Sequence, residues 1–390
     1  MPYQVLARRY RSQKFSELVG QEAIVKTLQT AIKQNRVAHA YLFTGTRGVG
    51  KTSTARLFAR ALNAVDDKGK EQSDVAEAIM KGSDTDTIEI DAASNNSVDQ
   101  ARELIANAAY RPLRGRKKVY IIDEVHMLST AAFNALLKTM EEPPEHVVFI
   151  LCTTETHKVP ATIQSRCQRF DFRPIPAATI ATHLGEVLKG EDVKAEPELL
   201  HMVAKLGNGS MRDSLSILDR LLAAGDKKLT VKLLEELLGL PDRTLVAQLV
   251  SAIANSDASG ALKSADDLAK RGVSPEQLLG TLAERFRDLM IIAACGQDTD
   301  LVDLANESRD EAAKEAARFD APGLTHLIAI CDAAARNCRT ASSPRAITDA
   351  AIVRMSMSEK LADLTALVAG QVRPAAGRNG SLPAGAAAKK

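Results

Sequence analysis

The sequence contains no tryptophan, few aromatic residues and no long apolar run. Phe, Trp and Tyr together make up 4% of the 390 residues. A helix that crosses a bilayer needs about 20 mostly apolar residues, and no stretch of the chain approaches that length. The N-terminus carries Arg8, Arg9 and Arg11 without an apolar segment behind them, which is unlike a secretory signal peptide. These absences predict a cytoplasmic protein without a membrane span.

Cysteine is scarce as well, and its spacing excludes two further classes of protein. The five cysteines are scattered, and none belongs to a C-x-x-C pair: Cys152, Cys167, Cys295, Cys331 and Cys338. The pattern therefore indicates neither a disulfide-stabilised fold nor a zinc knuckle.

Charge is nearly balanced overall but not along the chain. The formal net charge is +2, whereas the first sixty residues hold eleven Lys and Arg against two Asp and Glu. This local excess could bind nucleotide phosphates, a DNA backbone or both, or it could be a solvated basic face. With 45% hydrophobic and 26% charged residues, a chain of this length is expected to form two or three globular domains.

A glycine-rich segment carries the strongest chemical signal in the sequence. It fits G-x-x-x-x-G-K-[ST] and consists of Gly45, Thr46, Arg47, Gly48, Val49, Gly50, Lys51 and Thr52. In such a loop, free backbone N–H groups cradle phosphates while the lysine and the hydroxyl serve the terminal phosphate and its Mg²⁺. The preceding run 40–44 predicts a buried strand, and 51–62 predicts a helix whose N-terminus adds partial positive charge.

Further apolar runs predict an α/β fold with a parallel sheet. β-rich segments at 87–91, 119–123, 147–152 and 168–172 follow the first strand, and most are far enough apart for a helical crossover. Residues 131–142 are the clearest predicted helix. Ligands of such sheets bind at the carboxyl ends of the strands, where Gly45, Asp123, Thr153 and Thr154 would emerge.

Strand signals fade after Arg173-Pro174-Ile175-Pro176, and helical periodicity replaces them. This change predicts a nucleotide-binding domain at 1–173. One helical group is expected at 174–241 and a second at 242–360. Residues 361–390 combine prolines with small residues and are expected to form a flexible tail.

Several of these segments together resemble a known family. They are Arg8 to Arg11, Val19 to Glu22, His39 to Phe43, the glycine loop, Asp123 to His126, Asn134 to Pro144 and Ser165 to Cys167. In sequence and order they resemble the gamma/tau subunit of bacterial DNA polymerase III, the ATPase of the sliding-clamp loader. The similarity is dense from residue 1 to about 225 and thin afterwards.

The resemblance implies an AAA+ P-loop module, a small helical lid and an all-α collar that joins subunits into a pentameric ring open on one side. It implies an ATP hydrolase within a DNA polymerase III holoenzyme, with ATP and Mg²⁺ as cofactors. The implied partners are other clamp-loader subunits, the sliding clamp and primer-template DNA. Two alternatives remain: a scaffold subunit that does not hydrolyse ATP, or another AAA+ machine that remodels DNA.

The resemblance also implies roles for individual residues. Lys51 would contact the β- and γ-phosphates, and Thr52 and Asp123 would serve Mg²⁺. Glu124 would orient and polarise the attacking water. Of the two threonines after the fourth strand, Thr154 is the preferred contact between the γ-phosphate and that water.

Two arginines are implied to act on the γ-phosphate from outside the loop. Arg212 matches the lid arginine that reports nucleotide state. Arg166 matches an arginine finger that reaches the ATP of the neighbouring subunit, so it would act in trans. The alternative for Arg166 is a salt bridge within the chain, near Asp171.

Two basic regions are less specific. Arg8 to Arg11, with Val19 and Gly20, would lie near the adenine base, and some of these arginines could instead face DNA. The basic residues Arg111, Arg114, Arg116, Lys117 and Lys118 could follow a phosphate backbone, although such loops are ordinarily just solvated.

One departure from the family concerns zinc. Gamma/tau subunits commonly carry a four-cysteine zinc module after the helix that follows the glycine loop. The corresponding stretch here, residues 63–86, contains neither cysteine nor histidine. Structural zinc needs about four such ligands, so zinc is predicted to be absent.

Overall fold

The apolar runs of the N-terminal half form one parallel sheet in the computed structural model. Its strands are β1 Ala40–Thr44, β2 Thr87–Asp91, β3 Lys118–Asp123, β4 Val147–Thr153 and β5 Gln168–Asp171, in the order β2-β3-β4-β1-β5. All neighbouring pairs are parallel. Each strand lies within one residue of its predicted bounds, so the prediction of a parallel α/β sheet is confirmed.

The structure describes residues 4–65, 71–94, 98–224, 228–297, 299, 301, 302 and 306–357. The predicted tail at 361–390 lies outside these residues. The chain divides into two compact units, Met1–Leu234 and Glu235–Lys390.

Helices cover both faces of the sheet because strand residues alternate in direction. Tyr41 and Phe43 of β1 face one core, while Ala40 and Leu42 face the other. The first face carries α2 Glu22–Lys33, α3 Lys51–Asn63 and α4 Ser73–Lys81; the second carries α5 Val98–Ala108, α6 Thr130–Glu141 and α7 Ala161–Gln164. The helix predicted at 131–142 is α6. The Ser129 side chain caps its N-terminus by accepting a hydrogen bond from the Ala132 N–H.

The remainder of the first unit is mostly helical. A short helix, α1 Leu6–Arg9, contacts the helix α10 Met211–Ala223. The segment after the sheet contains α8 Ala177–Gly190, β6 Lys194–Ala195, α9 Pro197–Leu206, α10 Met211–Ala223 and β7 Lys228–Leu229. The strands β6 and β7 pair in parallel. These helices pack on one another through buried leucines, as a small helical domain requires.

The second unit is all-helical among its described residues. After α11 Val231–Leu238, which spans the division between the units, it contains α12 Arg243–Ala254, α13 Ala258–Lys270, α14 Pro275–Cys295, α15 Asn306–Ala316, α16 Ala321–Cys338 and α17 Pro344–Ser356. These helices share one apolar core. The division between the units falls after residue 234, whereas the sequence predicted a boundary after residue 241. Among the described residues no single helix is long and apolar enough to cross a membrane. The bent pair α11 and α12 has the length and composition of a membrane span when its two helices are taken together, and nothing more supports such a span.

The described part of the stretch 63–86 is held by buried polar groups and by α4. The buried Asn63 amide donates to the Lys117 carbonyl oxygen at 2.8 Å and accepts the Lys117 N–H at 3.0 Å. The buried carboxylate of Asp86 accepts the N–H groups of Leu113, Arg114 and Gly115 at 2.6 to 2.7 Å. These hydrogen bonds tie the stretch to the loop that precedes β3.

The cysteines differ in exposure. Cys152 lies fully buried on β4, and burial raises its pKa well above the ordinary value. Burial also raises the pKa of Cys167 and that of Cys331 to about 12. Cys338 is buried, and Cys295 is exposed at the end of α14.

Candidate nucleotide-binding site

The strand order brings the predicted polar residues to one edge of the sheet. β4 lies between β1 and β3, and Thr44 at the end of β1 pairs with Thr153 at the end of β4. Neighbouring strands are about 4.8 Å apart. The glycine loop after β1, Thr154 after β4 and Asp123-Glu124 at the end of β3 are therefore neighbours.

The glycine loop closes onto the helical segment after the sheet. Gly48 has a φ of +76°, which residues with a side chain rarely adopt. A Cβ atom on Gly48 would lie 1.9 Å from the Ser210 Oγ and 3.1 Å from the Arg212 Cβ. Glycine at this position thus lets the loop touch the N-terminus of α10 and places Arg212 beside the loop.

A Gly48→Ala substitution is expected to destabilise the protein by about 1–3 kcal/mol, since it adds both left-handed strain and a collision with Ser210. Thermal unfolding would measure the loss. The matched control is Gly280→Ala in α14, where an added Cβ meets nothing within 4 Å, and this change is expected to be neutral or stabilising by up to about 1 kcal/mol. A Gly48→Ala protein with a wild-type melting temperature would contradict the contact between the loop and α10.

Lys51 and Thr52 begin α3 directly behind the loop. The Lys51 side chain is only 5% exposed, and its Nζ donates to the carbonyl oxygens of Gly45 and Thr46, both at 2.8 Å. Burial lowers the pKa of Lys51. The Thr52 hydroxyl donates to the Asp123 Oδ2 at 2.7 Å. A hydroxyl and a carboxylate are oxygen donors of the kind that Mg²⁺ prefers, so these two residues fit a magnesium site.

Glu124 lies in a tight turn after β3, and its carboxylate faces Thr154. Its backbone has a φ of +47°, and it immediately precedes the short 3₁₀ helix Val125–Met127. The Thr154 hydroxyl donates to the Glu124 Oε2 at 3.0 Å. Thr153 is fully buried, and its hydroxyl oxygen accepts the Glu155 N–H at 3.0 Å. Of the two threonines, Thr154 therefore contacts the carboxylate of Glu124.

His126 is a site residue to which sequence reasoning assigned no role. It was part of the segment Asp123 to His126 that carried the family resemblance, but nothing in that pattern showed its contacts. Its side chain is 6% exposed, with Nδ1 at 3.0 Å from the Thr153 Oγ1 and 3.4 Å from the Glu124 Oε2. The imidazole thus joins the ends of β3 and β4.

A cavity of about 480 Å³ lies over the loop. Its walls include the loop residues 47–52, Asp123, Glu124 and Arg212, together with Arg8, Tyr10, Arg11 and Val19 from the N-terminal segment. Burial lowers the pKa of Arg11. Arg9 instead forms an ion pair with Glu191, and Gly20 packs close to Ile175. Much of the predicted adenine-side segment therefore lines the same cavity as the loop.

Arg166 forms an intrachain ion pair, but its partner differs from the expected alternative. Its guanidinium donates to the Glu141 Oε1 at 2.6 Å and to the Thr162 carbonyl oxygen at 2.7 Å. Asp171 is instead bound by Arg169 at 2.7 Å and by the Thr44 hydroxyl. The alternative of a salt bridge within the chain is therefore present, but its partner is Glu141 at the C-terminal end of α6 and not Asp171.

The basic cluster before β3 is largely engaged within the chain. Arg114 pairs with Asp74 at 3.1 Å, and the Lys117 Nζ donates to the Glu145 carbonyl oxygen at 2.7 Å. Lys118 is buried and donates to the Asn107 carbonyl oxygen at 2.6 Å. The Lys118 ammonium group is therefore engaged within the chain.

Three family models match the chain in succession. Residues 20–176 match "DNA polymerase III, delta subunit", residues 179–227 match "DNA polymerase III clamp loader subunit, ATPase lid domain", and residues 229–370 match "DNA polymerase III subunits gamma and tau domain III". These matches follow the order of sheet, helical segment and all-helical unit, so the predicted α/β module with a lid and an all-α region is confirmed.

Three curated relatives cover different shares of the chain. The tau subunit of Bacillus subtilis is 38% identical over 93% of this chain and 65% of its own length. The tau/gamma subunit of Haemophilus influenzae is 43% identical over 75% of this chain and 43% of its own length. The gamma subunit of Buchnera aphidicola subsp. Schizaphis graminum is 39% identical over 72% of this chain and 78% of its own length.

The chain spans less than two thirds of the length of the first two relatives, whereas it covers more than three quarters of the Buchnera protein. The similarity to the latter extends over most of both chains, and the glycine loop, Asp123, Glu124, Thr154 and Arg212 lie within the residues that the family models match. The chain belongs to the family of bacterial DNA polymerase III gamma/tau subunits.

Proposed function

We propose that the chain is an ATP-hydrolysing subunit of a sliding-clamp loader. The observation that carries this proposal is the composition of one sheet edge. There the glycine loop, Lys51, Thr52, Asp123 and Glu124 adjoin a single cavity. A phosphate cradle, a pair of oxygen ligands and a second carboxylate are the parts that phosphoryl transfer to water requires.

In this proposal the loop and the start of α3 bind ATP. Backbone N–H groups of residues 45–50 and the N-terminus of α3 hold the phosphates, and Lys51 contacts the β- and γ-phosphates. Thr52 and Asp123 hold Mg²⁺, directly or through water. When bound, this ion neutralises charge that develops on the transferred phosphoryl group. The burial of Lys51 strengthens its attraction to the phosphates, because the local dielectric is lower than that of water.

Glu124 and Thr154 act on the attacking water. Glu124 orients the water and polarises its O–H bond, and Thr154 fixes the carboxylate through their hydrogen bond. Arg212 contacts the γ-phosphate from the lid. Its place beside Gly48 supports this role, because an arginine there couples the position of the lid to the nucleotide that is bound.

Arg166 completes the site of a neighbouring subunit. Its ion pair with Glu141 holds the guanidinium at the surface, with the side chain 33% exposed. Exchange of the Glu141 carboxylate for the γ-phosphate of the neighbour would give a composite site. This role requires an oligomer, and we propose a pentameric ring with other clamp-loader subunits.

We further propose a function for each region of the chain. Residues 1–173 bind the nucleotide, 174–241 form the lid and 242–360 form the collar that joins subunits. ATP binding favours a ring that grips and opens the clamp, and primer-template DNA triggers hydrolysis and clamp release in the cytoplasm. Zinc takes no part, and the buried hydrogen bonds of Asn63 and Asp86 serve in its place.

Two other functions fit the chain less well. A scaffold subunit would be expected to lose loop residues, whereas the whole segment Gly45 to Thr52 is intact. Another AAA+ machine, such as a branch-migration motor, would need its own DNA-binding domain. The match of residues 229–370 to a gamma and tau domain favours the clamp loader instead.

The test is an ATPase assay of the full chain with companion subunits, clamp and primed DNA. Wild-type turnover is expected to rise when clamp and DNA are both present. A Lys51→Ala variant is expected to lose at least about 100-fold in turnover, because the phosphates lose their principal cation. Wild-type turnover that ignores clamp and DNA would count against the clamp-loader function.

A further inference from the structure

His126 occupies a buried position between two carboxylates at the end of the sheet. Its Nδ1 faces the Thr153 Oγ1 at 3.0 Å and the Glu124 Oε2 at 3.4 Å, and its Nε2 faces the Glu155 Oε1 at 3.3 Å. A buried imidazole with both nitrogens directed at polar partners is held in a fixed orientation. That orientation is what a residue needs if it is to hold other groups in place.

The two carboxylate oxygens of Glu124 differ in their contacts. Thr154 and His126 both lie against Oε2. Among the described residues, no hydrogen bond reaches Oε1. One oxygen is thus fixed by the protein while the other remains available to accept a hydrogen bond from water.

Thr153 secures the same Nδ1 edge of the imidazole that faces Glu124. It is fully buried at the end of β4, and its hydroxyl oxygen also accepts the Glu155 N–H. The backbone at the end of β4 is therefore tied to His126, and His126 lies against Glu124 at the end of β3. Because β3 and β4 pair in the sheet, this arrangement fixes the carboxylate relative to the strand ends.

We propose that His126 is a positioning residue for ATP hydrolysis. Its Nδ1 edge holds the carboxylate of Glu124 against Thr154 and keeps Oε1 directed at the attacking water. This inference rests on the proposed ATPase function. It differs from a purely structural role, because it concerns the direction of one carboxylate and not the stability of the sheet.

Two amide variants distinguish the roles of the two imidazole nitrogens, because each retains a donor near one of them. The amide nitrogen of asparagine occupies about the position of Nδ1, so His126→Asn can still donate toward Thr153 and Glu124. Glutamine places its amide nitrogen near Nε2, so His126→Gln reaches Glu155 but not the Nδ1 partners. Alanine removes both edges.

We expect His126→Ala and His126→Gln to lower kcat for ATP about 10- to 100-fold, with KM for ATP within about twofold of wild type. His126→Asn is expected to recover most of kcat. Steady-state kinetics on the full chain in the loader complex would measure both constants, and thermal unfolding would compare the stability of the variants. The matched control is His146→Ala, whose Nε2 bonds to the carbonyl oxygens of Ala108 and Tyr110 away from the site and whose loss should leave kcat unchanged.

The outcomes separate this inference from the function on which it rests. Wild-type turnover no higher than that of Lys51→Ala would overturn both. If the wild type is active, the inference is overturned when Asn and Gln variants of equal stability have equal kcat, or when the loss appears in KM alone. Should His126→Ala fail to fold, the comparison of Asn with Gln still decides the question.

Discussion

A Glu124→Gln variant is expected to bind ATP as tightly as wild type but to hydrolyse it about 10²- to 10⁴-fold more slowly. Glutamine keeps the size of the side chain, and its carbonyl oxygen can still accept a hydrogen bond from the Thr154 hydroxyl. Its amide, however, cannot polarise a water molecule as a carboxylate does. Single-turnover hydrolysis would measure the chemical step, and equilibrium binding of ATP would measure Kd.

The matched control for this change is Glu77→Gln. Glu77 lies exposed on α4, where it forms an i,i+4 ion pair with Lys81. Such surface pairs contribute only about 0.3–0.5 kcal/mol, so both hydrolysis and binding should stay at wild-type values. A Glu124→Gln protein that hydrolyses ATP at the wild-type rate would assign the activation of water to another group.

An Arg166→Ala variant is expected to lower kcat on the order of 10³-fold, because the arginine would stabilise charge on the γ-phosphate in the transition state. The distinctive test is complementation in a mixed oligomer. Arg166→Ala subunits retain Lys51, and Lys51→Ala subunits retain Arg166. Mixing the two inactive variants should restore part of the activity, since some interfaces then combine an intact loop with an intact arginine. ATPase activity as a function of mixing ratio is the measurement.

Arg169→Ala serves as the control for Arg166. Arg169 is also exposed and also holds a carboxylate, that of Asp171 on β5. Its loss should leave kcat unchanged. If the mixed oligomer stays inactive while each variant still assembles, the arginine does not act across an interface. Lysine at position 166 is not expected to restore activity, because an ammonium group lacks the planar, bidentate geometry of a guanidinium.

The elements that could be predicted from sequence are those with a local cause. Each strand of the large sheet is a short apolar run, and a strand buried on both faces must be apolar throughout. The glycine loop was recognisable because its backbone conformation and its chemistry both demand particular residues, as Gly48 and Lys51 show. Sequence order then placed Asp123 and Thr154 at strand ends, and parallel pairing brought them together.

The elements that could not be predicted depend on contacts between distant residues. The ion pair of Arg166 with Glu141 joins residues 25 positions apart, and no local pattern distinguishes Glu141 from the other acids nearby. The two-residue strands β6 and β7 are too short for a periodic signal. His126 belonged to a recognised segment, yet its three partners come from two different strand ends, which the segment alone does not reveal.

The uneven burial of the five thiols makes the native chain suitable for site-selective labelling. Thiolates are the species that attack maleimides, and a raised pKa suppresses them at Cys152, Cys167 and Cys331. Cys338 is buried, which blocks access of the reagent. Cys295 alone among the five is exposed. One fluorophore can therefore be attached to the second unit with every other cysteine retained, and energy transfer between labelled copies would report subunit association as it happens.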